Sequence, residues 1–190
     1  MSYHKTSLQI QKEAEIINAA KLDPKAFKPI YEEYFPQISA FAYKRVEDKE
    51  TAFDLAQKTF LKALEQLSKY EHRGLPIGSW LYRIAINEIN QYFRVSKKSR
   101  TVNLDTAEVN NLFADVDDSI YDEDQIAMLK TSFTYLSSAD YLMIEMRYFE
   151  ERPFKEIAEI LEITETNAKV KTYRALDKLK KVISKLQAAA

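Results

Sequence analysis

A chain of 190 residues with only two glycines has little freedom to turn tightly, and both of them, Gly74 and Gly78, fall in one short stretch. Glycine adopts backbone conformations that other residues resist, so irregular backbone is expected there and regular structure elsewhere. Five prolines in so long a chain, with 46% hydrophobic residues, point to packed helices rather than to sheets or disorder. The expected fold class is all-α. The stretch reads FDLAQKTFLKALEQL, SKYEHRGLPIG and SWLYRIAINEINQYFR: a loop between two segments of helical period, with the only tryptophan, Trp80, just after it.

On a helical wheel at about 100° per residue, Phe53, Ala56, Phe60, Ala63, Leu64 and Leu67 form one apolar stripe, expected to face a core. Asp54, Gln57, Lys58 and Leu61 form a mixed stripe beside it, suited to docking another protein's helices or to an ordinary solvated edge. In the second segment Leu81, Ile84, Ala85, Ile89, Tyr92 and Phe93 make the core stripe, and Ser79 is placed to cap the helix start. Opposite lie Trp80, Arg83, Asn87, Asn90, Gln91 and Arg94, followed by Lys97, Lys98 and Arg100. Cations meet phosphates, amides meet base edges and aromatic rings stack on unpaired bases, so this face suits nucleic acid. Spacing alone equally admits a solvated polar face. Glu88 falls near the apolar stripe and needs a partner that the sequence does not identify.

The net charge of −1 hides a segregation. Residues 105–124 carry eight acidic side chains and no basic ones, whereas residues 169–185 carry seven basic ones against Asp177 alone. A basic segment closing an otherwise neutral chain is an electrostatic footprint for nucleic acid. His4 and His72 have no spaced metal-ligand partner, cysteine is absent, and no glycine-rich phosphate loop or nucleophile elbow occurs. An enzyme, a cofactor, a metal and a small-molecule substrate are therefore not expected. No apolar run approaches membrane-spanning length and the N-terminus MSYHKTSLQIQKE lacks a signal-peptide pattern, so a cytoplasmic protein without membrane insertion is expected.

Taken in order, residues 8–22 predict an amphipathic helix with Leu8, Ile16, Ile17 and Leu22 among its apolar positions. Asp23–Pro24 signals a helix start, and the next helix buries Phe27, Ile30, Tyr31, Tyr34, Ile38, Phe41 and Ala42, with Pro36 kinking or restarting it. With the two helices and loop above, this makes a first domain, residues 1–100. Residues 101–125 have no sustained period and predict an acidic linker, or a short docking element built on Leu112, Phe113 and Val116. Residues 126–190 predict a second domain. Ile126, Leu129, Phe133 and Leu136 mark one helix; Ser137 and Asp140 start another, with Leu142, Ile144, Met146, Tyr148 and Phe149 as its apolar contacts. Pro153 opens a short helix, FKEIAEIL, and after the turn Glu162–Ile163–Thr164 a long helix begins, which is a helix-turn-helix signature. On the long helix Ala168, Thr172, Ala175, Leu179 and Val182 face inward. Thr166, Val170, Tyr173 and Arg174 face away, flanked by Asn167, Lys169 and Lys171, and are placed to read a major groove. Lys178, Lys180, Lys181 and Lys185 are placed for phosphates or solvent.

DLAQKTF followed by SWLYRIAINEINQYFR resembles the second conserved region of bacterial RNA polymerase sigma factors. LSSADYLMIEMRYFEERPFKEIAEILEITETNAKVKTYRALDKLKKVI resembles their fourth. The nearest group is the small, two-domain extracytoplasmic-function sigma factors, although Glu162 stands where this family commonly has glycine. The resemblance implies core RNA polymerase and promoter DNA as partners and leaves room for an anti-sigma factor. It implies that Asp54, Gln57, Lys58 and Leu61 meet the clamp helices of the polymerase's large subunit. It also implies that the first domain opens the −10 element, with the loop capturing a flipped base, which adds Tyr70, His72 and Arg73 to the polar face. The second domain would bind the −35 element as duplex through Thr166, Asn167, Lys169, Val170, Lys171, Tyr173, Arg174 and Lys178, and the linker would run through polymerase channels. A helix-turn-helix regulator acting on duplex operators without joining a polymerase, and a helical protein-binding adaptor, are the alternatives. Neither needs a surface for unpaired bases.

Overall fold

The computed structural model describes residues 5–46, 48–97 and 123–189. Every element among them is helical, and the chain divides into two compact units, His4–Thr101 and Val102–Ala190.

The first unit holds α1 (Ser7–Leu22), α2 (Lys28–Tyr43), α3 (Lys49–Gln66) and α4 (Ile77–Ser96). Side chains that satisfy the orphan amides set three of its starts. Thr6 and Gln9 form a reciprocal capping box on α1. Asp23 accepts from the Lys25 amide at 3.0 Å and opens a 3₁₀ turn, Pro24–Phe27, that leads into α2. Asp48 accepts from the Thr51 amide at 2.7 Å and begins α3. Pro36, expected to kink or restart the helix, lies inside α2, which runs from Lys28 to Tyr43 without a restart.

Ile17, Ile30, Ile38, Phe41, Ala56, Leu81 and Tyr82 are buried at the centre of this unit, with the Phe41 and Tyr82 rings edge to face at 4.9 Å. Several sequence expectations need correction here. Phe53 and Leu64 are 47% and 39% exposed, because α3 turns Ala52, Leu55, Ala56, Thr59, Phe60 and Ala63 inward. Small side chains on that arc let neighbouring helices approach, which leaves the larger Phe53 and Leu64 on its rim. Tyr31 is likewise a rim residue, its ring stacked on Phe35 at 4.8 Å. Leu8 and Leu22 are exposed, since α1 buries only Glu13, Ile17 and Ala20. On α4, Tyr82 and Ile86 are buried, whereas Tyr92 and Phe93 are half-buried. Glu88 finds its partner in Lys62 of α3, an ion pair between adjacent helices.

Ser79 does not cap α4. The helix already begins at Ile77, so Ser79 lies within its first turn and is buried. Gly78 is helical too, and the loop's only glycine is Gly74, at φ 70°. What Gly78 supplies is space: a Cβ there would sit 2.5 Å from Tyr34 Cε1.

The second unit's described part holds α5 (Glu123–Thr134), α6 (Ser138–Ile144), a π-helical turn (Glu145–Phe149), α7 (Phe154–Leu161) and α8 (Glu165–Ala189). Helix α5 starts at Glu123, inside the stretch expected to be linker; residues 101–122, with Leu112, Phe113 and Val116, lie outside the described residues. Phe133 anchors the unit, edge to face with Tyr141 at 5.4 Å and Phe149 at 5.9 Å. Ile144, Met146, Ile157, Ala168, Ala175 and Leu179 fill the rest of the core, while Ile126, Leu142 and Val182 are half-buried. A buried Arg152–Glu156 pair at 2.9 Å closes the start of α7.

Glu162 adopts the left-handed conformation at φ 54°, ψ 43°, where glycine is at home. Its amide and that of Ile163 both donate to the Ala158 carbonyl, so the turn is as tight as a glycine turn. The side chain's Cβ makes that conformation about 1–2 kcal/mol less favourable.

The close approach at Gly78 gives the first prediction. Gly78→Ala should destabilise the first unit by about 1–3 kcal/mol, because the Tyr34 ring is buried and cannot swing clear. Urea unfolding followed by Trp80 fluorescence measures it, and an unchanged midpoint would refute the packing argument.

Candidate nucleic-acid interface

In the first unit two surfaces flank the loop. Helix α3 turns Asp54, Gln57, Lys58 and Leu61 to solvent, with Leu61 58% exposed. Phe53 and Leu64 extend this stripe, and the Phe53 ring leans on Phe35 at 5.0 Å. Sequence reasoning missed these two by assigning them to the core. The available signal was their place on the wheel, less than half a turn from Gln57. The surface is therefore more apolar than its four expected members suggested, which favours contact with another protein over plain solvation.

Helix α4 presents Trp80, Arg83, Asn87, Asn90, Gln91 and Arg94 within an arc of roughly 120° at the helical period. Asn87, Asn90, Gln91, Arg94 and Lys97 are exposed, whereas Trp80 and Arg83 are half-buried. The arc ends at Lys97, which closes the helix in a left-handed conformation; Lys98 and Arg100 lie outside the described residues. Arg94 donates a hydrogen bond to the Gln91 side chain. Tyr70, half-buried at the loop's start, sets its ring 4.7 Å from that of Trp80, while His72 and Arg73 are exposed. The fold thus brings the loop's aromatic onto the helix's aromatic, beside amides and cations. Such a surface can stack bases and hold phosphates.

In the second unit α7, the tight turn and α8 make a helix-turn-helix. Thr164 caps α8, its hydroxyl accepting from the Asn167 amide at 3.2 Å. Thr166, Asn167, Lys169, Val170, Lys171, Tyr173 and Arg174 are all exposed, opposite buried Ala168, Thr172 and Ala175. The Tyr173 ring rests 6.2 Å from Phe154 of α7, and the Arg147 guanidinium lies over the other partner of that contact, 5.1 Å from the Phe154 ring. Phe154 was missed because it reads as an ordinary helix-start apolar.

Lys178 differs from the other cations. Its ammonium donates to both oxygens of Asp140, at 2.9 and 2.7 Å, so it is already engaged by α6. Burial alone would push the Asp140 carboxyl up, but hydrogen bonds from Lys178 and Ser137, with the charges of Lys178 and Lys171, hold it below its ordinary value. Among the described residues no His, Cys, Asp and Glu group could hold a metal, and no helix is long and apolar enough to cross a membrane. His72 is exposed on the loop, and His4 lies outside the described residues.

The chain matches two family models, "Sigma-70 region 2" over residues 30–99 and "Sigma-70, region 4" over residues 136–179. It is similar to RNA polymerase sigma factor SigV of Bacillus subtilis, 30% identical, covering 72% of this chain and 77% of that one. It is also similar to the ECF sigma factor SigM of the same organism, at 29%, 80% and 91%. With the ECF sigma factor BldN of Streptomyces coelicolor it is 26% identical over 83% of its length, and spans only 60% of that longer relative. Among solved structures, CnrH in complex with the cytosolic domain of CnrY shares the fold with a TM-score of 0.60, at 17% identity, covering 92% of this chain and 97% of that chain. The sigma factor RpoE in complex with the anti-sigma factor NepR, from Bartonella quintana, shares it at 0.57, with 20% identity, 84% and 98% covered.

The contact with Lys178 gives the Asp140 carboxyl a pH dependence. Because the folded carboxyl's pKa is lowered, the stability it contributes is present above about pH 4 and lost as pH falls through the lowered value. Lys178→Met should move the Asp140 midpoint, read by carboxyl-carbon NMR, back toward the ordinary range. It should also remove less than about 1 kcal/mol of stability at neutral pH, since Lys178 is largely exposed. A midpoint unmoved by the substitution would show that the pair does not form in solution.

Proposed function

This chain belongs to the extracytoplasmic-function group of bacterial RNA polymerase sigma factors, and from that premise we propose how its own residues direct core polymerase to a promoter. The α3 surface of Asp54, Gln57, Lys58 and Leu61, widened by Phe53 and Leu64, docks the polymerase. Tyr70, His72 and Arg73 of the loop, with the α4 arc from Trp80 to Lys97 and on to Lys98, take the unpaired −10 strand. Helix α8 enters the major groove of the −35 element. There Thr166, Asn167, Val170, Tyr173 and Arg174 face base edges, while Lys169 and Lys171 face phosphates. Lys178 reaches a phosphate only by leaving Asp140. The first unit therefore handles polymerase and opened strand, and the second handles duplex.

The observation that carries this reading is the aromatic pair Tyr70–Trp80 beside an amide-and-cation face. A repressor reading duplex alone has no use for it. Opening a promoter is a binding process, so this subunit needs no bond-making residue, and it works in the cytoplasm where the polymerase is. An anti-sigma factor that covers either surface would silence it.

Purified protein mixed with core polymerase lacking any sigma subunit should form a complex and yield promoter-directed transcripts; nanomolar specific DNA binding by the free chain, with no transcripts, would instead mark an operator-binding regulator. Asp54→Lys and Gln57→Ala should each weaken core binding by roughly 1–3 kcal/mol without loss of helix content. Undiminished affinity in the double variant would remove this surface from the interface. In the second unit, Arg174→Ala should relax base preference at a few −35 positions, by about 1–3 kcal/mol of discrimination. Lys169→Ala should weaken binding on all sequences and lower the salt slope by about one. Identical base profiles for wild type and Arg174→Ala would displace Arg174 from the reading set.

A further inference from the structure

One helix holds the loop between α3 and α4 at both ends. At its start the Lys21 ammonium of α1 donates to the Tyr70 carbonyl at 2.7 Å. At its end the Glu13 carboxylate, about two turns earlier on α1, accepts from the Ile77 amide at 3.0 Å. Ile77 is the first residue of α4, and its amide is one of the groups that a helix start leaves without an intrahelical partner. Pro76 in the cap position offers no side-chain acceptor, and the buried Ser79 hydroxyl makes no hydrogen bond. The acceptor that caps α4 is therefore borrowed from a residue 64 positions away.

Glu13 is built into this place. It is 3% exposed, accepts from the Tyr34 hydroxyl at 2.6 Å and pairs with Lys5 at 2.7 Å. A carboxylate is held in a core only when its oxygens are occupied in this way, and its charge lies at the positive end of the α4 dipole. Gly78, pressed on the Tyr34 ring, closes the same junction. Between the two anchors Glu71, His72, Arg73 and Gly74 stand exposed.

We infer that α1 is a splint that sets the shape of this loop, with Glu13 and Lys21 as positioning residues for strand opening. The inference rests on the reading that the loop receives the unpaired base. Extruding a base is unfavourable by a few kcal/mol, and a loop that had to be ordered at the same moment would add its own entropy to that barrier. A loop held beforehand at both ends avoids the second cost.

The test uses full-length Lys21→Met, Lys21→Arg and Glu13→Gln with core polymerase. Tryptic cleavage after Arg73 in the free protein reports the loop. Permanganate reactivity on a duplex promoter reports opening, and transcription from a pre-opened bubble template reports everything else. Lys21→Met should be cut several-fold faster and open duplex about tenfold less well, the loss of one charged hydrogen bond, while bubble transcription and core affinity stay near wild type. Lys21→Arg should restore both readouts. Glu13→Gln, if it folds, should show the same split; Lys21, being exposed, keeps the test independent of folding. Unchanged loop cleavage in Lys21→Met overturns the splint. A parallel fall on duplex and bubble templates reduces Lys21 to a structural role and overturns its positioning one. Faster cleavage with unaltered opening also overturns it. In that case His72→Ala with Arg73→Ala locates the failure, in the splint if that variant opens poorly and in the loop reading if it opens normally.

Discussion

The first unit depends on one buried carboxylate. Glu13 ties α1 to α2 through the Tyr34 hydroxyl, to α4 through the Ile77 amide, and to the chain ahead of α1 through Lys5. Burial alone would lower the Lys5 pKa, yet hydrogen bonds and attraction from Glu13 and Glu33 hold it above the ordinary lysine value. The stability that this raised lysine contributes is fully present below the ordinary lysine pKa and is lost as pH rises through the raised value. Removing Glu13 would leave the buried Tyr34 hydroxyl and Ile77 amide without this acceptor, which costs more than the hydrogen bonds gain. The three helices are consequently held in one relative arrangement rather than merely packed.

That arrangement decides which faces remain for function. Helices α2 and α4 take up the small-residue arc of α3, so Phe53, Leu61 and Leu64 are left outward in a row with polar neighbours. Helix α4 turns its apolar arc inward and keeps amides, cations and half of an indole for solvent. The two outward surfaces thus belong to different helices of one core.

In the second unit the same economy appears at smaller scale. The turn of the helix-turn-helix is made by Glu162 in a left-handed conformation, with two amides sharing the Ala158 carbonyl. Burial of Ile157, Ile160 and Ala168 on either side of the turn offsets the local strain. The Asp140–Lys178 pair adds a surface tie between the middle of α8 and α6, beside the packing of buried Ala168, Ala175 and Leu179.

Much of this was legible in sequence. Period and capping chemistry mark starts at Asp23 and Ser137, because these signals act within a few residues. The inward and outward faces of α8 followed from period alone. Tertiary structure decided what depends on partners distant in the chain. Whether Phe53 is core or rim is set by how closely α2 approaches α3, and period locates an arc only to within a residue at its edges. Gly78 reads as loop because glycine usually means a turn, yet its role is to admit a tyrosine from α2. Ser79 reads as a cap because the true cap, Glu13, lies on another helix. Glu88 had no visible partner for the same reason, since Lys62 reaches it only once α3 and α4 lie side by side. Local backbone preferences are written in neighbouring residues; the neutralisation of buried charge and the filling of space are settled only when the helices meet.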